Sequence, residues 1–98
     1  MPQINLSLRA QSDISRLHRF LVTQDPASAK RAVLAIRDAF SPLQNYPFLG
    51  RAVDDSSRLR ELLIDFGSSG YIALYEYDER ADSVIILALK HQREDDYR

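Results

Sequence analysis

Residues 60–89 read RELLIDFGSSGYIALYEYDERADSVIILAL and contain three apolar runs separated by two turn signals. The three runs are Arg60–Phe66, Tyr71–Tyr77 and Ser83–Leu89. The first run alternates, with Leu62 and Ile64 on one face, which is the period of a half-buried strand, and the last run is apolar enough for a strand buried on both faces. Gly67–Gly70 and Asp78–Asp82 have the composition of turns. The stretch therefore predicts a three-stranded antiparallel meander.

The first part of the chain adds a strand and a helix. Ile4–Leu8 alternates strictly between apolar and polar residues, which predicts a strand. Ser12 precedes a window in which apolar residues recur at helical spacing. A first helix is therefore expected over about residues 12–23.

A second helix is the best-marked element of the sequence. Asp25-Pro26 is typical of a helix start, because Asp accepts from free amides and Pro at the first position gives up a donor that has no partner. Ser41-Pro42 predicts an end or a kink, and residues 45–57 read as an ordered loop. The order is βααβββ, which predicts an α+β fold with an antiparallel sheet packed against an N-terminal helical hairpin.

Length and composition indicate one folded domain over residues 1–98. The chain is 45% hydrophobic and 28% charged, with 3 Gly and 4 Pro, which is ordinary globular usage. It contains no Cys, which excludes disulfides, thiolate nucleophiles and Cys-ligated metals. We find no bilayer-spanning apolar run and no signal peptide, so we expect a cytoplasmic protein without membrane contact, metal or cofactor. The sequence pI of about 6.1 argues against non-specific binding to nucleic acid.

One cluster of chemically active side chains follows the last predicted strand. Lys90-His91-Gln92-Arg93 comes directly after it, with Tyr97 close behind. Such a cluster could bind phosphate or supply an acid–base group near neutral pH. Solvated charges that end a strand are the alternative interpretation.

Six segments of the chain also carry a family resemblance. They are Ile4–Asp13, Asp25–Ala29, Pro47–Arg51, Leu59–Leu62, Gly70–Tyr75 and Ile86–Arg93. In this order and spacing they resemble the RelE/ParE superfamily of bacterial toxins from type II toxin–antitoxin modules. The fold of that family is also βααβββ, in agreement with the order predicted from the residue pattern.

The resemblance implies one of two activities, of which the first is ribonuclease activity. Toxins like RelE cut messenger RNA on the ribosome, and a cluster of basic side chains stabilises charge on the scissile phosphate. In that branch, basic residues stand at the places that are Leu63, Asp65 and Ile72 here. The catalytic candidates that would remain for a ribonuclease are Arg60, His91, Arg93 and Tyr97.

The second implied activity is poisoning of DNA gyrase. Toxins like ParE keep the fold without the basic cluster and block replication by trapping broken DNA. Leu59–Leu62 and Lys90–Arg93 look more like this branch, so we expect a gyrase inhibitor that binds protein and has no catalytic residues. The expected target-binding residues are Arg60, Lys90, His91, Arg93 and Tyr97. A member that binds an antitoxin but harms nothing is a third interpretation.

Either branch implies a cognate antitoxin, which wraps the helical hairpin in a hetero-oligomer and connects the toxin to operator DNA. Residues 1–49 carry six basic and three acidic residues, a net charge of +3, so an acidic antitoxin segment is expected on the outer faces of the helices. The candidate antitoxin-binding residues on these faces are Arg16, Arg19, Lys30, Arg31, Leu34 and Arg37. An ordinary solvated surface is the alternative.

Overall fold

The computed structural model describes residues 1–94 and 97. Within these residues lie two α-helices, α1 (Leu8–Val22) and α2 (Pro26–Phe40), and one five-stranded sheet. The strands are β1 (Gln3–Leu6), β2 (Arg51–Ala52), β3 (Leu59–Phe66), β4 (Ser69–Asp78) and β5 (Ser83–His91). The α+β class and the βααβββ order are confirmed, and β2 is an additional short strand.

The order of strands in the sheet is β1-β5-β4-β3-β2. Strands β3, β4 and β5 are antiparallel neighbours, so the predicted meander is confirmed, and β1 joins its far edge parallel to β5. Strand β2 pairs with Arg60 and Glu61 of β3 and lies inside the segment that the sequence predicts as a loop. Two residues are too few to show an alternating pattern, so sequence periodicity cannot reveal this strand.

Helix α1 begins at Leu8, so the prediction of a start near Ser12 is wrong. The hydroxyl of Ser7 accepts a hydrogen bond of 3.0 Å from the amide of Ala10 and caps the helix. The predicted strand therefore ends at Leu6. Leu8 continues the alternation in sequence but is 84% exposed in the first helical turn.

Helix α2 begins where the sequence predicts. The carboxylate of Asp25 accepts hydrogen bonds from the amide of Ala27 (3.1 Å) and the hydroxyl of Ser28 (2.7 Å), with Pro26 in the first turn. The helix ends at Phe40, and a single 3-10 turn over Ser41–Gln44 follows it. This confirms the predicted break at Ser41-Pro42.

The core lies between the helical hairpin and one face of the sheet. Strand β4 is the most enclosed strand, with the consecutive residues Tyr71–Ala73 all buried. The prediction that β5 is buried on both faces is wrong, because Ile85 is only half-buried between Val84 and Ile86. The buried residues that both helices, the 3-10 turn and the central strands contribute include Ala10, Leu17, Ala32, Ile36, Phe40, Leu43, Leu62, Ile64, Ala73, Tyr75 and Leu89.

Candidate functional site

The face of the sheet opposite the helices carries two of the predicted target-binding residues, Lys90 and Tyr97. Strand register places alternate residues of β3, β4 and β5 on this face. We call it the open face, and its members are Glu61, Leu63, Asp65, Ile72, Leu74, Ala88 and Lys90. The residues between them, such as Leu62, Ile64 and Tyr75, belong to the core. The helices do not cover this face, and Leu63 and Asp65 are exposed on it, whereas Ile72 and Ala88 are buried.

Apolar side chains occupy the middle of the open face. Leu63 pairs with Ile72, Ile72 pairs in turn with Lys90, and Leu63 is 54% exposed. Asp65 is exposed one position further along the same face of β3. The structure thus brings together the three positions at which the ribonuclease branch has basic residues. Here they contribute no positive charge and one negative charge.

Lys90 and Tyr97 lie together over the open face. The ammonium Nζ of Lys90 is 5.1 Å from the centroid of the Tyr97 ring, a cation–π contact. The Tyr97 hydroxyl donates a hydrogen bond of 2.8 Å to Oε2 of Glu61. Two of the predicted target-binding residues are therefore in contact, and Tyr97 joins them to Glu61 on β3.

Glu61 and Arg51 belong to this group, and the site predictions omit both. Oε1 of Glu61 accepts hydrogen bonds from Nη2 (3.1 Å) and Nε (3.3 Å) of Arg51, whose side chain is 63% exposed. The alternation of β3 already places Glu61 on the polar face of that strand. The partner Arg51 comes from β2, which leaves no signal in the sequence.

Arg60 lies on the opposite face of β3 from the open face. Its Nη1 donates to the backbone oxygens of Phe48 (3.2 Å) and Gly50 (2.6 Å), and its guanidinium is 5.0 Å from the centroid of the Phe48 ring. Arg60 pairs with Tyr75 in the register of β3 and β4. The structure therefore does not bring Arg60 together with Lys90 and Tyr97, and its contacts attach the loop before β2 to the sheet.

Tyr75 attaches the same loop from β4. Its side chain is fully buried, and its hydroxyl accepts from the amide of Gly50 (2.8 Å) and donates to the backbone oxygen of Pro47 (2.9 Å). Burial raises the pKa of Tyr75 above its usual value. A Cβ on Gly50 would lie 2.7 Å from both Cε1 of Tyr75 and the oxygen of Glu61. Pro47–Arg51, one of the segments that carry the family resemblance, thus packs around the buried hydroxyl of Tyr75.

His91 faces the core side of the sheet, and it organises the turn that follows β5. Its ring packs edge-on against Tyr71 at 5.6 Å. Nδ1 accepts a hydrogen bond of 3.1 Å from the amide of Arg93, so that Nε2 carries the proton and donates to Oγ of Ser69 at 3.0 Å. Both ring nitrogens are engaged within the protein, whereas the Arg93 side chain is exposed.

The candidate residues on the helices divide into two groups. Those exposed on the outer surface are Arg19, Lys30, Arg31, Leu34 and Arg37. Arg16 instead points toward the end of β5, where its Nη1 contacts Oε1 of Glu94 at 3.0 Å and its Nη2 contacts the backbone oxygen of Leu89 at 3.4 Å. Arg37 also borders a groove of about 200 Å³ that Ile4, Leu6 and Phe40 line.

The described part of the chain has neither a metal-binding cluster nor a membrane-spanning helix. Residues 1–94 and 97 contain no group of three or more His, Asp and Glu side chains that could hold a metal ion. Over the same residues, neither helix has the length and apolar character that crossing a bilayer requires.

Comparison with known proteins gives concordant matches at the level of the fold and family. The family model of the ParE toxin of the type II toxin–antitoxin system parDE matches residues 4–96. The toxin RelE3 of Caulobacter vibrioides is 33% identical over 94 residues, which cover 96% of this chain and 98% of that protein. The toxin RelE1 of the same organism is 37% identical over 70 residues, which cover 71% of this chain and 73% of that protein.

Solved structures have the same architecture. A chain of the chromosomal ParDE toxin–antitoxin system from P. aeruginosa superposes with a TM-score of 0.76 at 20% identity, covering 93% of this chain and 96% of that one. A chain of the RelBE2 complex from Mycobacterium tuberculosis gives a TM-score of 0.63 at 19% identity, covering 94% and 100%. The matching family model has the ParE name and the curated relatives have the RelE name. The chain therefore belongs to the RelE/ParE superfamily and is a toxin of a type II toxin–antitoxin system.

Proposed function

We propose that this toxin acts by binding DNA gyrase and that its cognate antitoxin neutralises it. The observation that carries the choice of target is the composition of the open face. Leu63 and Ile72 occupy its middle, and Asp65 lies beside them. A phosphodiester in a ribonuclease site develops negative charge that needs cations within contact distance. Two apolar side chains and a carboxylate cannot supply that stabilisation.

The remaining basic and aromatic candidates also favour binding over catalysis. Arg60 is on the other face of β3, where two backbone oxygens engage its guanidinium. The Tyr97 hydroxyl donates its hydrogen bond to Glu61, whose carboxylate would repel a phosphate. His91 uses both ring nitrogens within the turn after β5. Among these residues, no acid and base lie together where both could act on the same phosphodiester.

The residues at the same place also support the binding of a protein target. Lys90, Arg93 and Tyr97 lie around the end of β5, and the exposed Leu63 adds apolar area beside them. Aromatic and cationic side chains around an apolar centre are the composition that protein interfaces favour. We assign target binding to these four residues, with Arg60 and His91 supporting the loops next to them.

The ribosome-dependent ribonuclease remains the second candidate, because a relative that is 33% identical is named RelE3. In that case Lys90, Arg93 and Tyr97 would contact the messenger RNA. A third candidate is a member that binds its antitoxin and has no target. The three candidates share the fold and the antitoxin, and they differ in which cellular process fails first.

The antitoxin surface is assigned to the outer faces of α1 and α2. Lys30, Leu34 and Arg37 recur at helical spacing on α2, and Leu34 is 47% exposed between the two cations. An amphipathic antitoxin segment with an apolar residue between carboxylates would match this stripe. The complex would be a hetero-oligomer that contacts operator DNA through the antitoxin.

The deciding experiment is induction of this chain alone in a bacterium while thymidine and methionine incorporation are followed together for the first minutes. The gyrase proposal expects thymidine incorporation to fall first. The double variant Lys90→Gln/Arg93→Gln should lose the effect, whereas Arg80→Gln, an exposed arginine in the β4–β5 turn, should keep it.

Purified protein provides the second readout. The gyrase proposal expects inhibition of DNA supercoiling by gyrase and no cleavage of messenger RNA on ribosomes. Methionine incorporation falling first, with cleaved messenger RNA, would establish the ribonuclease candidate in its place. No effect on either process would leave the antitoxin-binding module as the function.

A further inference from the structure

We propose that Arg16 is a positioning residue for the target surface and not an antitoxin contact. Through Glu94 it fixes the C-terminal turn, which we define as residues 91–94, and this turn presents Arg93. The inference rests on the proposed function, because it concerns how the target-binding residues are held.

The C-terminal turn is closed by its own backbone. The amide of Glu94 donates to the backbone oxygen of His91 at 3.0 Å, so that Arg93 is the third residue of the turn and its side chain is exposed. The amide of Gln92 donates to the oxygen of Gly70 at 2.9 Å and joins the start of the turn to β4. These bonds fix the path of the backbone, and two side chains, one from α1 and one from the turn itself, fix its position.

The first of these side chains is Arg16 on α1. Its Nη1 contacts Oε1 of Glu94 at 3.0 Å, and the same oxygen accepts from the amide of His91 at 3.2 Å. The side chains of Arg16 and Glu94 are 30% and 17% exposed, so water screens this ion pair less than a surface pair. Arg16 thus contacts the last residue of the turn, and the carboxylate that it contacts also binds the amide of the first residue.

The second side chain is His91, which acts from the β4 side. Nδ1 accepts from the amide of Arg93 at 3.1 Å while Nε2 bonds to Oγ of Ser69 at 3.0 Å. The turn is therefore attached to α1 through Glu94 and to β4 through His91 and Gln92, and the His91 ring also binds the amide of Arg93. A turn held at two points loses little conformational freedom on binding, which favours the affinity of the residue it presents.

The same contacts separate Arg16 from the antitoxin surface. Its guanidinium already contacts Glu94, the oxygen of Leu89 and, at 3.9 Å, Oδ1 of Asp13. Arg19 lies one helical turn further along α1 and is exposed. An acidic antitoxin segment can bind Arg19 without breaking an internal contact, whereas binding to Arg16 would compete with carboxylates that are already in place.

The test compares gyrase inhibition by the parent chain with that of Arg16→Gln, Arg93→Gln and the double variant, with Arg19→Gln as the matched control on the same helix. We expect Arg16→Gln and Arg93→Gln each to raise the inhibitory concentration about tenfold, since each removes a charged contact. The double variant should be no weaker than Arg93→Gln alone, because Arg16 acts through Arg93. Arg16→Lys keeps the charge and should recover most of the potency.

Amide NMR tests the position of the C-terminal turn independently of gyrase inhibition. In amide NMR spectra of the folded variants, the Arg93 signal should shift in Arg16→Gln and stay in place in Arg19→Gln. Antitoxin affinity should fall in Arg19→Gln and be unchanged in Arg16→Gln. Full potency of Arg16→Gln beside an impaired Arg93→Gln would overturn the role of Arg16 alone. Full potency of Arg93→Gln would overturn the target surface itself, and this inference with it.

Discussion

The hydroxyl of Tyr97 donates a hydrogen bond of 2.8 Å to Oε2 of Glu61, and this bond joins the C-terminal end of the described chain to β3 across the open face. The ring of the same residue lies 5.1 Å from the ammonium of Lys90. The hydroxyl and the ring of Tyr97 therefore have different partners. A ribonuclease would need the hydroxyl for chemistry, whereas a binding surface needs the ring.

Replacement of Tyr97 distinguishes these two uses. Tyr97→Phe keeps the ring over Lys90, so we expect growth inhibition within about threefold of the parent. Tyr97→Ala removes the ring and should weaken inhibition by about tenfold or more. The measurement is growth after graded induction, with protein amounts checked by immunoblot. Equal loss in both variants would show that the hydroxyl is essential and would support proton transfer.

The buried hydroxyl of Tyr75 gives a prediction for stability. Tyr75→Phe leaves the amide of Gly50 and the oxygen of Pro47 without their partner, so we expect a loss of about 1–3 kcal/mol in the free energy of unfolding. Tyr46→Phe is the matched control, because Tyr46 is 66% exposed, and it should change the value by less than about 0.5 kcal/mol. Urea denaturation of both variants measures the difference, and equal values would contradict the role assigned to Tyr75.

The fold could be predicted where a pattern extends over many residues. The alternation at Arg60–Phe66 and the turn signals around it identify the meander, and Asp25-Pro26 identifies the start of α2. The start of α1 could not be found in this way. Ser7 and Ser12 are equally good caps in sequence, and Ser7 is used because the strand before it ends where its hydroxyl can bind the amide of Ala10.

The candidate site could be predicted only in part. Lys90 and Tyr97 were identified from their place after the last strand, and the structure brings them together. Arg60 carries the same positive charge as Lys90. The alternation of β3 places it on the core side of the sheet, where it supports a loop. Arg16 lies on a basic helix, and only the tertiary contact with Glu94 shows that it faces inward. Side-chain partners that are distant in sequence leave no local pattern.

Asp13 is a buried acidic residue of α1 that binds a strand distant in sequence, and it provides a second stability prediction. Its Oδ2 accepts a hydrogen bond of 2.9 Å from the amide of Leu89, on a part of β5 that β1 does not pair with. Asp13→Ala leaves that amide unpaired and should lower the free energy of unfolding by about 2–3 kcal/mol. Asp38→Ala, an exposed change on α2, is the control. Similar urea midpoints for the two variants would exclude a bonding role for Asp13.

The cap of α2 predicts a dependence on acid pH. The hydrogen bond from the Ser28 side chain lowers the pKa of Asp25 below its usual value of 3.8. A lowered pKa contributes stability that is present above the unfolded value and is lost as the pH falls through the folded one. Asp25→Asn keeps a capping oxygen that does not titrate. We expect the melting temperatures of the parent and this variant to converge as the pH falls below about 5, and a constant difference would contradict the assignment.

Two exposed arginines of α2 give the last prediction, which concerns the antitoxin. Arg31 and Arg37 are exposed on α2, and reversing both to Glu places two negative charges where an acidic partner is expected. Affinity for the cognate antitoxin should fall by about tenfold or more at low salt and by much less at high salt, because salt screens exposed charges. The measurement is titration calorimetry at two salt concentrations, with Arg58→Glu/Arg80→Glu as a control of equal charge change away from the helices. An equal loss at both salt concentrations would mean that the variant disturbs packing instead of charge, and an equal loss in the control would mean that net charge alone sets the affinity.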